Sequence, residues 1–129
     1  MILVDTTVWI EVFKKREPLD LEKMVDLEEV ATCLPIIQEV LQGFRDESAF
    51  RKARESMFNL AVIESPLEAG VFEEAVDLYR TARRNSITIR SSVDCLIAAC
   101  ALRHDFEVWH RNRDYPALAR VSRRRVRKV

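Results

Sequence analysis

The chain has 129 residues, 48% hydrophobic and 33% charged, which fits one ordinary globular domain spanning 1–129 and excludes a disordered chain. Its 21 basic and 21 acidic residues cancel to a formal net charge of zero, which taken alone argues against a phosphate-rich partner. No apolar run approaches the roughly 18 residues of a membrane span, two glycines are too few for a phosphate-cradling loop, and Cys33, Cys95 and Cys100 have neither paired nor zinc-site spacing; with no basic, apolar leader at the N-terminus, this predicts a cytoplasmic protein with reduced thiols and no membrane partner.

Ile2-Leu3-Val4 reads as a short buried strand. Asp5 and Thr6 punctuate, and Thr7–Phe13 reads as a helix with Val8, Trp9, Val12 and Phe13 apolar. A break at 14–18 precedes a short helix over Leu19–Leu27, and Glu29–Cys33 reads as the second strand. Pro35 fits the first turn of a helix whose apolar face is Ile36, Ile37, Val40, Leu41 and Phe44, with Glu39 among them and Gly43 near the end. Glu47–Phe58 is helical and Leu60–Ile63 is the third strand. Ser65-Pro66-Leu67-Glu68 predicts a capped helix start, with Ser65 as cap and Glu68 closing the capping box, and the helix runs to Arg84. Ser91 or Ser92 caps a helix over Val93–Arg103 that is apolar nearly all round. Phe106–Trp109 is the fourth strand, and Val121 and Val126 flank a short fifth.

Strands alternating with helices predict an α/β domain with a mostly parallel sheet of about five short strands. Ligands of such sheets bind beyond the carboxyl ends of the strands. Four carboxylates fall there: Asp5 after the first strand, Glu39 on an apolar helix face, Asp94 in the first turn of the most apolar helix, and Asp114 after the fourth strand. Each has a bland explanation. Asp5 caps a helix, Asp94 meets a helix dipole, Glu39 pairs with an arginine, and Asp114 is solvated. Gathered at one edge they would repel, and a divalent cation would resolve the conflict. Mg²⁺ or Mn²⁺ prefers such oxygen ligands, lowers the pKa of a bound water and stabilises a leaving oxygen, which is the chemistry of phosphodiester hydrolysis.

Four blocks then carry a resemblance: residues 4–10 (VDTTVWI), 34–43 (LPIIQEVLQG), 89–99 (IRSSVDCLIAA) and 110–115 (HRNRDY). In this order they resemble the PIN domain, and more narrowly the VapC-type toxin ribonucleases of bacterial toxin–antitoxin pairs. The resemblance implies a three-layer α/β/α fold, Mg²⁺- or Mn²⁺-dependent endoribonuclease activity on RNA, a small cognate antitoxin and a homodimer. It implies Asp5, Glu39 and Asp94 as metal ligands and Thr6 as a hydroxyl supporting them. The last block departs from the pattern, with Asn112 in place of an Asp and Tyr115 in place of a Phe. Asp114 is then the fourth catalytic carboxylate and Asn112 an auxiliary oxygen donor. One charge fewer predicts one ion or none before substrate binds. A catalytically silent PIN-like RNA-binding module is the alternative. A receiver-like signalling module fits poorly, because the first strand ends without an acid pair and no late lysine precedes Lys128.

The zero net charge hides a segregation. Residues 1–110 hold 13 basic and 20 acidic residues, net −7, and residues 111–129 hold 8 and 1, net +7. The basic C-terminal segment, 120–129, reads either as a solvated tail, as an antitoxin contact, or as an RNA contact in which Arg111, Arg113, Arg123, Arg124 and Arg125 meet phosphates. Trp9, Phe13, Phe44 and Trp109 read as core, His104 and His110 as structural, and Tyr115 as the better-placed ring for base stacking. On the long helix, a second apolar face drawn from Val71, Phe72, Ala75, Val76, Leu78 and Tyr79 would be a dimer or antitoxin surface.

Overall fold

A computed structural model of the chain describes residues 1–111, 114–119 and 126–129, with 114 and 115 as backbone. Strands β1 (Ile2–Val4), β2 (Val30–Cys33), β3 (Ala61–Ile63), β4 (Glu107–His110) and β5 (Val126–Lys128) form one all-parallel sheet in the order β3-β2-β1-β4-β5. Helices α1 (Thr6–Phe13), α2 (Leu34–Gln42), α3 (Glu47–Phe58), α4 (Ala69–Arg84), α5 (Ser92–His104) and α6 (Asp114–Ala119) alternate with them.

The central strands are buried on both faces. Leu3 and Val4 point to opposite sides of β1, and both are fully inaccessible. Parallel strands need helical crossovers, and right-handed crossovers place helices by the direction of travel across the sheet. The chain moves one way through β1, β2 and β3, then crosses to β4 and β5 on the other side of β1. This puts α1–α3 on one face and α4–α6 on the other. The contacts agree: α1 packs on α2 and α2 on α3, while α4 packs on α5 and both touch α6. The three-layer expectation therefore holds. The reversal of direction at β1 leaves a crevice at its carboxyl end.

Three local expectations need correction. Leu19–Leu27 is not a helix but two 3₁₀ turns, Leu21–Lys23 and Leu27–Glu29. Asp26 interrupts the segment by accepting from the Glu28 N–H at 3.0 Å, which starts a new turn, and Leu21 alone supplies a buried anchor to the first. Glu29 consequently closes a turn, and β2 starts at Val30. The capping box at Ser65–Glu68 does not form. The Ser65–Pro66 peptide is cis, Glu64 takes a left-handed conformation (φ 50°), and α4 begins at Ala69 with no side-chain cap. At the C-terminus, Arg127 and Lys128 lie inside β5, an edge strand, where cations discourage further pairing. Arg120, Val121, Arg123, Arg124 and Arg125 lie outside the described residues.

Helix α5 is the buried element that the sequence indicates. Cys95, Ile97, Ala98, Ala99, Cys100 and Ala101 are all covered, and Asp105 ends the helix in a left-handed conformation (φ 55°). Arg103, near its end, reaches Glu74 of α4 at 3.0 Å. Gly70 makes room for this, since a Cβ there would sit 2.7 Å from the guanidinium. All three cysteines are buried and unbridged. A hydrogen bond to Cys100, together with burial, pushes the Cys33 thiol above its usual range, so it stays protonated at neutral pH.

Thr32, at the centre of β2, is fully buried, and its hydroxyl meets no partner among the described residues. An unsatisfied buried hydroxyl costs about 1–3 kcal/mol, whereas an apolar group of the same shape does not. Thr32→Val is expected to raise stability by about 1 kcal/mol. A urea midpoint below that of the wild type would contradict this.

Candidate active site

The crevice begins with Asp5. Its N–H donates to the Trp109 carbonyl at 2.9 Å, carrying the β1–β4 ladder one residue past the strand. Asp5 then caps α1: Oδ2 accepts from the Thr7 N–H at 3.0 Å and from the Thr7 hydroxyl at 2.5 Å. Thr7 Oγ1 in turn accepts from the Arg111 N–H at 2.9 Å, just past β4. Asp5 is 1% exposed, so its carboxylate is held in a desolvated place.

The other carboxylates arrive on helices. The chain passes from β2 straight into α2, and Glu39 falls in the second turn, half-buried. The Thr6 hydroxyl donates to Glu39 Oε1 at 2.8 Å, so Thr6 supports a carboxylate as expected. Helix α5 leads back into β4 through two residues, so its N-terminus lies at the end where β4 finishes. Asp94 stands in its first turn and is 5% exposed. Asp5, Glu39 and Asp94 share one cleft of about 290 Å³, walled also by Thr6, Thr7, Ile10, Arg90 and Ser91.

Among the described residues, this cleft offers oxygen donors and neither a histidine nor a cysteine, which suits a hard cation such as Mg²⁺ or Mn²⁺ and not zinc. Among the described residues, no three acidic, His or Cys side chains close into a ready metal cage. That geometry still fits Mg²⁺, which binds through one or two carboxylates and keeps several waters.

The remaining expected site residues divide. Asp114 opens α6 in the stretch after β4, at the correct end of the sheet, and its side chain lies outside the described residues, as do Asn112 and Arg113 entirely. Arg111 has intramolecular partners: its Nε donates to the Val129 carbonyl at 2.9 Å, and Nη1 lies 3.6 Å from Glu11. Lys14 and Arg111 together hold the Glu11 carboxyl below its usual range, Lys14 the more strongly. Arg127 covers the Trp109 ring at 4.8 Å. His110 is buried at the end of β4, and His104 meets Glu64 at 3.3 Å.

Two residues of the site were not anticipated. Thr7 holds Asp5, and a hydroxyl two residues after an N-capping Asp was the available signal. Arg90 lies in the cleft wall, and nothing in its local sequence singles it out.

An all-parallel α/β sheet thus gathers three carboxylates in a cleft at the strand ends, where ligands of such folds bind. The sequence pattern of the PIN domain matches residues 2–121, and the chain belongs to the PIN-domain family. Over 127 residues it is 34% identical to "VapC ribonuclease Mb1587" of Mycobacterium bovis and to "Ribonuclease VapC11" of Mycobacterium tuberculosis, spanning 95% of this chain and 94% of each relative. The fold matches that of VapBC-5, a member of the VapBC family of toxin–antitoxin systems from Mycobacterium tuberculosis, with a TM-score of 0.72 at 20% identity, over 98% of this chain and 97% of that one.

Proposed function

We infer that this protein is a divalent-metal-dependent endoribonuclease and the toxin of a type II toxin–antitoxin pair. The observation that carries the reading is the convergence of Asp5, Glu39 and Asp94 in one cleft of a PIN-domain chain that aligns end to end with VapC ribonucleases. Asp5 and Asp94 hold Mg²⁺ or Mn²⁺, and Glu39 and Asp114 complete the carboxylate set. When bound, the ion supplies an activated water and offsets charge on the scissile phosphate. Thr7 fixes Asp5, Thr6 fixes Glu39, and Asn112 orients water as a neutral donor. Arg113, Arg123, Arg124 and Arg125 meet RNA phosphates at the basic end of the chain, while Arg111 is engaged by Glu11 and the Val129 carbonyl. No described helix is long and apolar enough to cross a membrane.

Two grooves fit the proposed partners. Between α1 and α2, Trp9, Phe13, Val40 and Phe44 line a depression of about 500 Å³ rimmed by Lys14, Lys15 and Arg45 and by a single acid, Asp46. An antitoxin segment with apolar anchors and acidic flanks matches it. On α4, Phe72 and Val76 are 48% and 55% exposed. Glu73 lies between Phe72 and Val76, and Asp77 between Val76 and Arg80, so the exposed strip is acidic in its first half and basic at Arg80 and Arg83. A second copy laid antiparallel sets Glu73 against Arg80 around an apolar centre, the self-complementary pattern of a twofold dimer. Light scattering is expected to give a dimer for the wild type and a monomer for Phe72→Glu. A monomeric wild type would contradict the dimer.

The function is tested by incubating the purified protein, free of antitoxin, with total RNA and Mg²⁺ or Mn²⁺, with and without EDTA. Discrete, EDTA-sensitive cleavage is expected. No cleavage with either metal would favour the catalytically silent module.

A further inference from the structure

Among the described residues, the wall of the carboxylate cleft contains a single basic residue, Arg90. We propose that Arg90 binds the substrate phosphate beside the metal ligands, a role that rests on the ribonuclease reading above. Three carboxylates in a partly desolvated cleft repel a polyanion strongly, because like charges interact more in a medium of lower dielectric. One divalent ion offsets two of the three negative charges. Arg90 offsets the third, so what still opposes a phosphate is at most the charge of Asp114, the fourth carboxylate of the proposed set. A guanidinium also suits the task in shape, since its planar fork donates two parallel hydrogen bonds to a phosphate.

The placement is built rather than incidental. Ile89 is buried (4% exposed) and anchors the backbone just before Arg90. Ser91 is the N-cap residue of α5 just after it, and Asp94 follows within the first helical turn. The core on one side and the helix on the other therefore fix the Arg90 backbone relative to a metal ligand, while Arg90 itself is exposed. Arg90 also borders the neighbouring groove between α4 and α5, where Arg80 and Arg83 lie. It thus stands on the ridge between the cleft and that largely apolar groove. The competing role is a structural one, in which Arg90 only holds the cleft carboxylates in place. The two roles differ in what they do to salt dependence.

The test measures anisotropy of a fluorescein-labelled, mixed-sequence single-stranded RNA 20-mer over a range of KCl concentrations, with Ca²⁺ as the hard cation occupying the cleft and the RNA checked by gel to be full-length at the end. It is paired with Mg²⁺-dependent cleavage kinetics of the same RNA, melting temperature and elution volume. Arg90→Ala is expected to weaken RNA binding about tenfold and to flatten the log K against log salt slope by about 0.7, the contribution of one phosphate contact on a single strand. KM is expected to rise by more than kcat falls, with melting temperature and elution volume unchanged. Arg90→Lys is expected to keep the salt slope and recover part of the affinity. Wild-type affinity and slope in Arg90→Ala would overturn the proposal, and so would a lowered melting temperature with an unchanged slope. A wild-type protein that neither binds nor cleaves RNA removes the ribonuclease reading itself. Wild-type cleavage that Arg90→Ala matches in full removes only the role of Arg90.

Discussion

Asp5→Asn is expected to lower metal-dependent RNA cleavage by at least about a hundredfold, within the range for removal of one electrostatic group from an active site, while the fold persists. The substitution separates two roles that the structure superimposes. Asp5 caps α1 through Oδ2, and Asn is as good a cap as Asp. The side chain is also 1% exposed in a cleft with two further carboxylates, where the proposed cation site needs its charge. Asn keeps the shape and the cap and loses the charge. Initial cleavage rates in Mg²⁺ are the readout, with the melting temperature as the control. A variant that cleaves at the wild-type rate would reduce Asp5 to a helix cap.

Ile97→Ala is expected to cost about 2–5 kcal/mol, the range for truncating a fully buried aliphatic side chain. That is a large part of the roughly 5–15 kcal/mol that holds a domain together. Ile97 is completely inaccessible and lies one turn beyond Asp94 on α5, where buried neighbours leave no room for compensating collapse. Its side chain therefore supports both the core and the placement of Asp94. Urea unfolding read by tryptophan fluorescence measures the loss, since Trp9 and Trp109 are both core residues. A loss below about 1 kcal/mol would mean that α5 repacks freely.

Much of the site was legible because it depends on sheet topology. Three apolar runs followed at once by Asp5, by the helix of Glu39, and preceded by the helix of Asp94 suffice to bring those carboxylates to one edge, given parallel strands and right-handed crossovers. What stayed hidden depends on contacts between residues far apart in the chain. Thr7 is bonded to Arg111, 104 positions away, and no local pattern in either segment announces it. Arg90 gains its meaning only from the two depressions that it borders. The missed helix start at Pro66 was a conflict between local signals. Ser-Pro-x-Glu matches a capping box, but Glu64 in a left-handed conformation turns the chain before the helix begins.

The zero net charge also gains a structural reading. The acidic excess of residues 1–110 includes the three cleft carboxylates. Within the basic excess of 111–129, Arg111 pairs with Glu11 and the Val129 carbonyl, and Arg127 stacks on Trp109. Truncating residues 123–129 would remove β5 together with the charge, so charge-neutralising substitution of Arg123, Arg124 and Arg125 is the cleaner probe of RNA contact.

On the proposed reading, Asp5, Glu39 and Asp94 form a divalent-cation centre. Mn²⁺ titration followed by electron paramagnetic resonance measures it most directly, comparing the wild type with Asp94→Asn. Saturable binding by the wild type, weakened at least about tenfold in the variant, is the predicted result. Equal Mn²⁺ binding by the two proteins would contradict it.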